Sequence, residues 1–458
     1  LRLALLLGAL FLVVNPPYAV NDEDVHMARM YELSTGQLVT LNDGDDYHYV
    51  PGDYEALGRR YQGIFQRDGG RVRVAGILKH LGKRPPREPL TRMRARAAGY
   101  SPISYHLQVP MIWLGRQLHL GAMWHMYLAR VASLTMYLFL TFRAVSVAGR
   151  LEWLFAAVAL MPMALMQAAG ASTDGLVIGL SLLFFAHIAR NGVSPGPVPQ
   201  RATLAELLLV LAVLTLSKPV YLVAGIALLT LRWEGRRARL RRAVFTAGSM
   251  LLAASLFLLW NQIRQNGPAS ASGGPSAPVQ QLQLLLSEPW RIVQLTFGTA
   301  FRTADDLLLQ SIFMRYGMSP AMRFAGGVAS ILYAQLLFGL SWGAARGLDP
   351  SASPPRWLKL LALGLSWLGI LCAVPSALYL CCVQLGGEEI RGFHGRYLIP
   401  AFPALLLALS LLGRPVLRRW LLGRAARLPL AIIVFSNLLC LFCVVGWHYY
   451  SESVEWPF

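Results

Sequence analysis

The chain has 458 residues, of which 55% are hydrophobic and only 14% charged. A soluble domain carries about 25% charged residues, and the apolar residues here fall in long runs, so lipid is the expected solvent for much of the chain. The formal net charge of +19 is mostly arginine in short loops between apolar runs, with no basic helix or aromatic-basic stripe; this fits anionic lipid headgroups and excludes nucleic acid as a partner.

A membrane span needs roughly 20 apolar residues, with about 17 as a floor. The run LRLALLLGALFLVV, residues 1–14, reads as a truncated first span. No clear small-x-small cleavage site follows it, which argues against a signal peptide core. Residues 15–121 follow as an outer loop or cap that opens on the acidic mouth VNDEDVHM and becomes arginine-rich. Its length exceeds any connector and implies a folded cap or surface helices. Further spans are expected at 122–145, 152–169 and 174–189.

The apolar run 204–231 is interrupted by Ser217-Lys218-Pro219. One long helix would bury a lysine beside a helix-breaking proline, whereas two short helices hinged at this tripeptide avoid that cost. A span at 243–260 closes the block 122–260. Residues 261–324 form a second outer segment, with a low-complexity loop GPASASGGPSAP at 267–278 and an amphipathic stretch at 285–318 suited to the interface. Spans at 325–344, 357–383, 396–413 and 428–447 complete the block 325–447, before a short outer tail at 448–458. The expected fold is an all-α polytopic membrane protein of about 11 transmembrane helices with a large first outer loop. No internal repeat is evident.

The hinge sets the topology. With two short spans, the basic loops 232–242 and 413–427 share a face with Arg143, Arg150, Arg190, Arg346, Arg356 and Lys359. The positive-inside rule makes that face cytoplasmic and puts the acidic mouth, the 261–324 segment and the 384–395 loop outside. One long span would instead turn the acidic mouth inward.

Four places carry polar groups suited to chemistry. In Asp22-Glu23-Asp24-x-His26, a helix would set Asp22 and His26 four apart on one face with Glu23 adjacent. Such carboxylates can act as a general base, and Asp22 with Glu23 could hold a divalent cation. The alternative is a hydrated helix start, where acids are favoured by the dipole. Lys218, with Pro219 and Tyr221 in an ordered turn, is either an anion ligand in an apolar hairpin or a lysine snorkelling to headgroups. Arg396 and Tyr397 stand at the mouth of a span, after a loop holding His394. Arginine's planar fork suits phosphate oxygens, although Arg/Tyr pairs also anchor span ends. Asp174 lies in the turn GASTDGL, as a site residue or a helix cap. Arg130 lies within a span near its outer end, and could pair with an acid or contact a lipid phosphate.

The five cysteines sit in or beside apolar runs, and the C-x-x-C of Cys440 and Cys443 reads as two small buried hydrophobes. The absence of a P-loop, dinucleotide fingerprint, HExxH or G-x-S-x-G argues against an ATP-driven pump or a serine hydrolase.

In order and placement, PPYAVNDEDVH, STDGL, SKPVY and HGRYLIPAFP resemble a large bacterial family of predicted membrane proteins carried as a domain of unknown function. That family is related to the GT-C superfamily of membrane glycosyltransferases. Its pattern is a first span, P-x-x-D-E-x-x-H, a large outer loop, an aspartate turn, a K-P-x-Y hinge and a late G-R-Y-x-x-P-x-x-P. The resemblance runs over residues 10 to 410, and this chain departs from it by extra residues between the prolines and Asp22-Glu23.

The resemblance implies a GT-C fold that moves a sugar from a polyprenyl-phosphate donor to a glycan, lipid or protein acceptor. The reaction would lie at the outer face of a bacterial inner membrane. Asp22 would be the base, Glu23 the second choice and His26 an orienting group. Lys218 and Arg396 would hold the phosphate, with Tyr397 in support. No cofactor beyond the divalent cation is implied. The rival expectations are a transporter or flippase of lipid-linked glycans, built on broken helices at the midplane, and a noncatalytic scaffold of the cell envelope.

Overall fold

The computed structural model describes residues 1–40, 47–66, 72–83, 90–94, 97–194, 198–265, 278–302, 309, 311–313, 320–343, 354–383, 387, 390, 392–413 and 427–449. Residues 267–277 of the expected low-complexity loop, residues 450–458 of the expected tail, Arg346, much of the 384–395 loop and most of the basic loop 413–427 lie outside the described residues.

The body is helical. Among the described residues, seven helical segments are long and apolar enough to cross a membrane: Ala122–Ala159, Asp174–Val193, Ala238–Arg264, Arg323–Gly343, Arg356–Leu380, Gly395–Leu412 and Arg427–Gly446. The apolar helices Arg2–Val14 (α1) and Pro219–Thr230 are shorter. The first long segment is in fact a hairpin. Helix α6 (Ala122–Ala148) stops at Gly149, whose φ of +59° ends the α-helical path. Beyond it, α7 (Glu152–Ala159) folds back along α6, so that the hydroxyl of Tyr137 donates to Ala159 O at 2.7 Å.

The expected span 152–169 is not one helix. It breaks after α7, and α8 (Pro162–Ala168) restarts at Pro162, which has no N–H to continue the ladder and whose ring crowds the preceding turn. The carbonyls freed at the break are met by side chains from other helices. Besides Tyr137, Tyr333 donates to Ala157 O at 2.7 Å and Asn437 Nδ2 to Leu160 O at 2.9 Å. In apolar surroundings such partners are what make a broken helix tolerable. Helix α9 (Asp174–Ile188) follows and is buried along its whole length, as a helix apolar on every side must be.

The SKP run is two elements. Helix α10 (Arg201–Ser217) ends at Lys218, whose backbone is extended (φ −148°, ψ 105°), and Pro219–Thr230 returns as a 3₁₀ helix. At about 1.5 Å per residue α10 is about 26 Å long, and the 3₁₀ segment at about 2.0 Å per residue reaches about 24 Å. Twelve residues thus cover nearly the same depth as seventeen. The return is complete, because Arg232 N donates to Asn191 O at 3.1 Å beyond the far end of α9.

These reversals sort the charges. One end of the body gathers Arg143, Arg150, Arg190, the basic turn 232–242 and Arg356. The other end carries Asp22, Asp174, Lys218 and Arg396, linked to one another by side-chain bonds, with the Glu23–Arg130 pair beside them. Large apolar side chains such as Phe139, Leu251, Leu258, Phe338 and Phe435 point outward from the long helices, as lipid-facing surfaces do.

Over the polar end sits the cap. Helix α2 (Glu23–Ser34) packs against α5 (Gln108–Gln117) and against a small antiparallel ribbon, β1 (Tyr47–Pro51) with β2 (Leu90–Arg94). The ribbon corrects the all-α expectation locally. The cap has its own apolar core, including Met27, Met30, Val50, Tyr54 and Tyr105, separate from that of the membrane body. A buried polar network fixes its far side: Arg29 bonds Glu32, Thr40 Oγ1 (3.0 Å) and Leu38 O (2.7 Å), and His48 Nδ1 meets Glu32 Oε2 at 3.1 Å.

Candidate active site at the polar end

The acidic mouth is fixed from below. Glu23 and Arg130 are both fully buried and form a two-pronged pair, Nε to Oε1 at 2.8 Å and Nη2 to Oε2 at 2.7 Å. Glu23 also accepts from Ala171 N at 2.8 Å. The remaining Arg130 donors cap the end of α1 and the proline turn, reaching Asn15 O at 2.7 Å and Pro16 O at 2.8 Å. One ion pair therefore ties α1, α6, α2 and the turn before α9 into a single unit. Glu23, expected as a second candidate base, has no open face and cannot receive a substrate proton. The correction has a physical reason: residues 22 and 23 straddle a helix start and point in different directions.

Asp22 is oriented the other way. It takes the N-cap position of α2 in the left-handed region, φ +64°, and its side chain makes no capping bond. An L-residue pays about 1–2 kcal/mol for that conformation, less for Asp than for most. The effect is to turn the carboxylate away from the helix start, to which an N-cap Asp normally bonds. Its Oδ2 accepts from Arg396 Nη2 at 2.7 Å, while half of the side chain remains exposed (53%). Partial burial works against its ionisation, but the Arg396 guanidinium outweighs it and holds the carboxyl below its ordinary value.

Asp174 begins α9 and is the hub of the cluster. Lys218 Nζ bonds its Oδ1, and Arg396 Nε lies 3.6 Å from its Oδ2. Close approach of the turn before α9 to the mouth depends on Gly170, where an added Cβ would lie 2.5 Å from Cγ1 of Val20. Arg396 arrives on a second 3₁₀ helix, Gly395–Ala401, and is buried (4% exposed side chain). Its Nη2 also reaches Tyr397 Oη at 3.0 Å, but its Nε and Nη1 are buried without a hydrogen-bond partner. Tyr397 offers its ring to both cations, 5.0 Å from Lys218 Nζ and 4.9 Å from Arg396 Cζ. Tyr221 supports from beneath, its hydroxyl donating to Tyr397 O at 3.0 Å.

His26 closes the cap side. Its Nδ1 lies 2.7 Å from Tyr105 Oη, and its ring meets the edge of Tyr100 at 5.1 Å. Burial pushes its pKa down to about 4, so the imidazole is neutral at pH 7. His394 stands further out, with its ring centroid 6.2 Å from that of Tyr397.

The structure thus unites Asp22, His26, Asp174, Lys218, Tyr221, Arg396 and Tyr397, and assigns Glu23 and Arg130 to scaffolding beside them. Sequence reasoning missed Tyr100, which burial pushes up to about 12 and which faces both His26 and the cavity beside Lys218. Its only local signal is the turn sequence Tyr100-Ser101-Pro102. The expected cation site at Asp22 and Glu23 does not fit, since each carboxylate is bonded to a different arginine. Among the described residues no group of three or more His, Cys, Asp or Glu could hold a metal.

Beside the cluster lies an open cavity of about 340 Å³, walled by apolar side chains from α10, the first 3₁₀ helix, α11 (Ala238–Gln265) and the helix Arg356–Cys382. Tyr100, Lys218 and Tyr397 form its polar rim. The arrangement can hold an anion against buried guanidinium N–H groups, next to a half-exposed carboxylate, above an apolar slot.

A family profile described as a predicted membrane protein, DUF2142, matches residues 5–407, a span that contains every residue of this cluster. No curated protein and no solved structure matches the chain.

Proposed function

The chain belongs to the predicted membrane protein family DUF2142, and from the geometry of its polar cluster we propose that it is a membrane glycosyltransferase taking its sugar from a polyprenyl-phosphate donor. The carrying observation is Arg396, a buried arginine whose Nε and Nη1 have no hydrogen-bond partner and whose Nη2 bonds the ionised, half-exposed Asp22. Buried guanidinium donors are costly to leave unpaired, and a phosphate group is the ligand their geometry suits.

In the proposed reaction, the acceptor hydroxyl oxygen attacks the anomeric carbon and its proton passes to the Asp22 carboxylate. The bond from the anomeric carbon to the phosphate oxygen breaks, and its electron pair leaves with polyprenyl phosphate. Arg396 and Lys218 stabilise the growing negative charge. Donor phosphate also competes with Asp22 for Arg396, which relieves the carboxylate of its partner and strengthens it as a base. The neutral His26, held by Tyr105, orients the acceptor side. No metal is required by this scheme.

On this reading α1, α6, the α7–α8 pair, α9, α10, the 3₁₀ return, α11 and the four later helices cross the membrane about 11 times in a GT-C-like body. The arginine-rich end faces the cytoplasm of a bacterial inner membrane and the mouth faces outward. Acceptors are glycans, lipids or proteins of the envelope.

Mass spectrometry of lipids copurifying with the protein tests the class directly, and a polyprenyl-phosphate sugar is expected. Recovery of bulk phospholipid alone, together with no transfer from such donors in proteoliposomes, would refute it.

A further inference from the structure

The cations of the cluster are already matched by carboxylates: Lys218 with Asp174, and Arg396 with Asp22 and Asp174. Two acids against two bases leave the cluster without net charge, so drawing a phosphate to its N–H donors takes a further cation. One more cation lines the adjoining cavity. Arg264, near the end of α11, is half-buried there beside Asn261, and its Nη2 donates to Asn261 Oδ1 at 3.1 Å. Among the described residues it forms no ion pair with a carboxylate. Trp260, one turn earlier, donates to Gly99 O at 3.1 Å, which fixes this end of α11 against the cap at the level of the mouth.

The cavity's walls say what the rest of the ligand is. Val220, Phe257, Val374 and Leu378 are apolar, and Tyr100, Lys218, Asn261, Arg264 and Tyr397 supply polar groups. At about 340 Å³ it lies near the lower end of the ~300–1,000 Å³ typical of ligand pockets. It therefore suits a headgroup and the first few carbons of a chain whose remainder lies in the bilayer.

Resting on the transferase reading, we infer that Arg264 holds the donor phosphate at the rim while the cavity below takes the first isoprenoid units of the donor. Arg264 supplies the single positive charge that a phosphodiester needs, and Asn261 steers its guanidinium. Lys218 and Arg396 then act on the charge that develops as the bond breaks. A prenyl-linked phosphate, with its flat methyl-branched chain, is preferred to the phosphate of a diacyl phospholipid, because the cavity has room for the first carbons of one chain.

The test uses the purified full-length protein in detergent, with undecaprenyl phosphate as probe and phosphatidylglycerol and undecaprenol as comparators, read by native mass spectrometry. Undecaprenyl phosphate should bind the parent in preference to both comparators. Arg264→Ala should weaken it about tenfold, with Arg264→Lys intermediate because it keeps charge but not the fork. Ala377→Trp, which fills the slot without touching a charge, should weaken it independently. Size-exclusion profiles and melting temperatures matching the parent keep these variants interpretable. Parental affinity in both Arg264→Ala and Ala377→Trp, while the parent still selects undecaprenyl phosphate, overturns this assignment and leaves the transferase standing. Equal binding of phosphatidylglycerol by the parent overturns the assignment by making Arg264 a general headgroup contact. Failure of the parent to bind any polyprenyl phosphate overturns the transferase reading and the assignment together.

Discussion

Arg396 Nη2 donates to Asp22 Oδ2 at 2.7 Å across 374 positions of sequence. That bond joins the first connection of the chain to the last third of the body, and Asp174 lies close enough to share the guanidinium. Asp22 is ionised, oriented and still half-exposed because of it.

Asp22→Asn should reduce sugar transfer by about 10²–10⁴, the usual contribution of a general base. Expression and melting temperature should stay near parental, since the side chain makes no helix cap, and donor binding should be at least parental, since the phosphate no longer competes with a carboxylate for Arg396. Transfer from polyprenyl-phosphate donors in proteoliposomes is the measurement, and parental rates would remove Asp22 from the role of base.

Glu23→Gln should behave in the opposite manner. It leaves Arg130 buried without its counter-charge, a loss of about 3–5 kcal/mol for a broken buried pair. A fall in melting temperature and in monodisperse yield is expected before any specific loss of activity. A variant as stable as the parent would contradict the scaffolding role assigned to Glu23.

Asp174 and Lys218 should couple. Asp174→Asn and Lys218→Met each strip the other of its partner, and the double variant should recover part of the loss. A coupling of about 0.5–3 kcal/mol is expected for residues in direct contact. Additive effects on melting temperature would mean the bond contributes nothing.

Stability should fall with acid through His26. Its folded pKa of about 4 lies below the ordinary 6.5, so its contribution is fully present above pH 6.5 and is lost as pH falls towards 4. At about 1.36 kcal/mol per unit the whole contribution is on the order of 3 kcal/mol. The decline in melting temperature between pH 7 and pH 5 should be shallower in His26→Gln than in the parent; equal slopes would place the titration elsewhere.

The two ends of the body should label from opposite sides. A cysteine introduced at Leu38, exposed on the cap, should react with a membrane-impermeant maleimide added outside cells. One at Arg236 in the basic turn should react only after permeabilisation. The reverse pattern would invert the topology.

The lipid-solvated class, most helix positions and the identity of the polar residues follow from composition and run length, because apolar runs of this length have few other uses. The hinge at Lys218 was legible too, since a lysine beside proline has no place in a continuous apolar helix. The break at Pro162 carried the same kind of signal, but hydropathy alone treats proline inside an apolar run as more span. Sequence could not tell Asp22 from Glu23. Adjacent carboxylates of equal chemistry are separated only by backbone direction, and a left-handed φ at residue 22 turns one to the mouth and leaves the other to Arg130. Nor could it say which cations remain unmatched, because that depends on distant carboxylates meeting them in space. Spacing along the chain determined where charge could be tolerated; tertiary packing alone decided which charges face one another and which face a ligand.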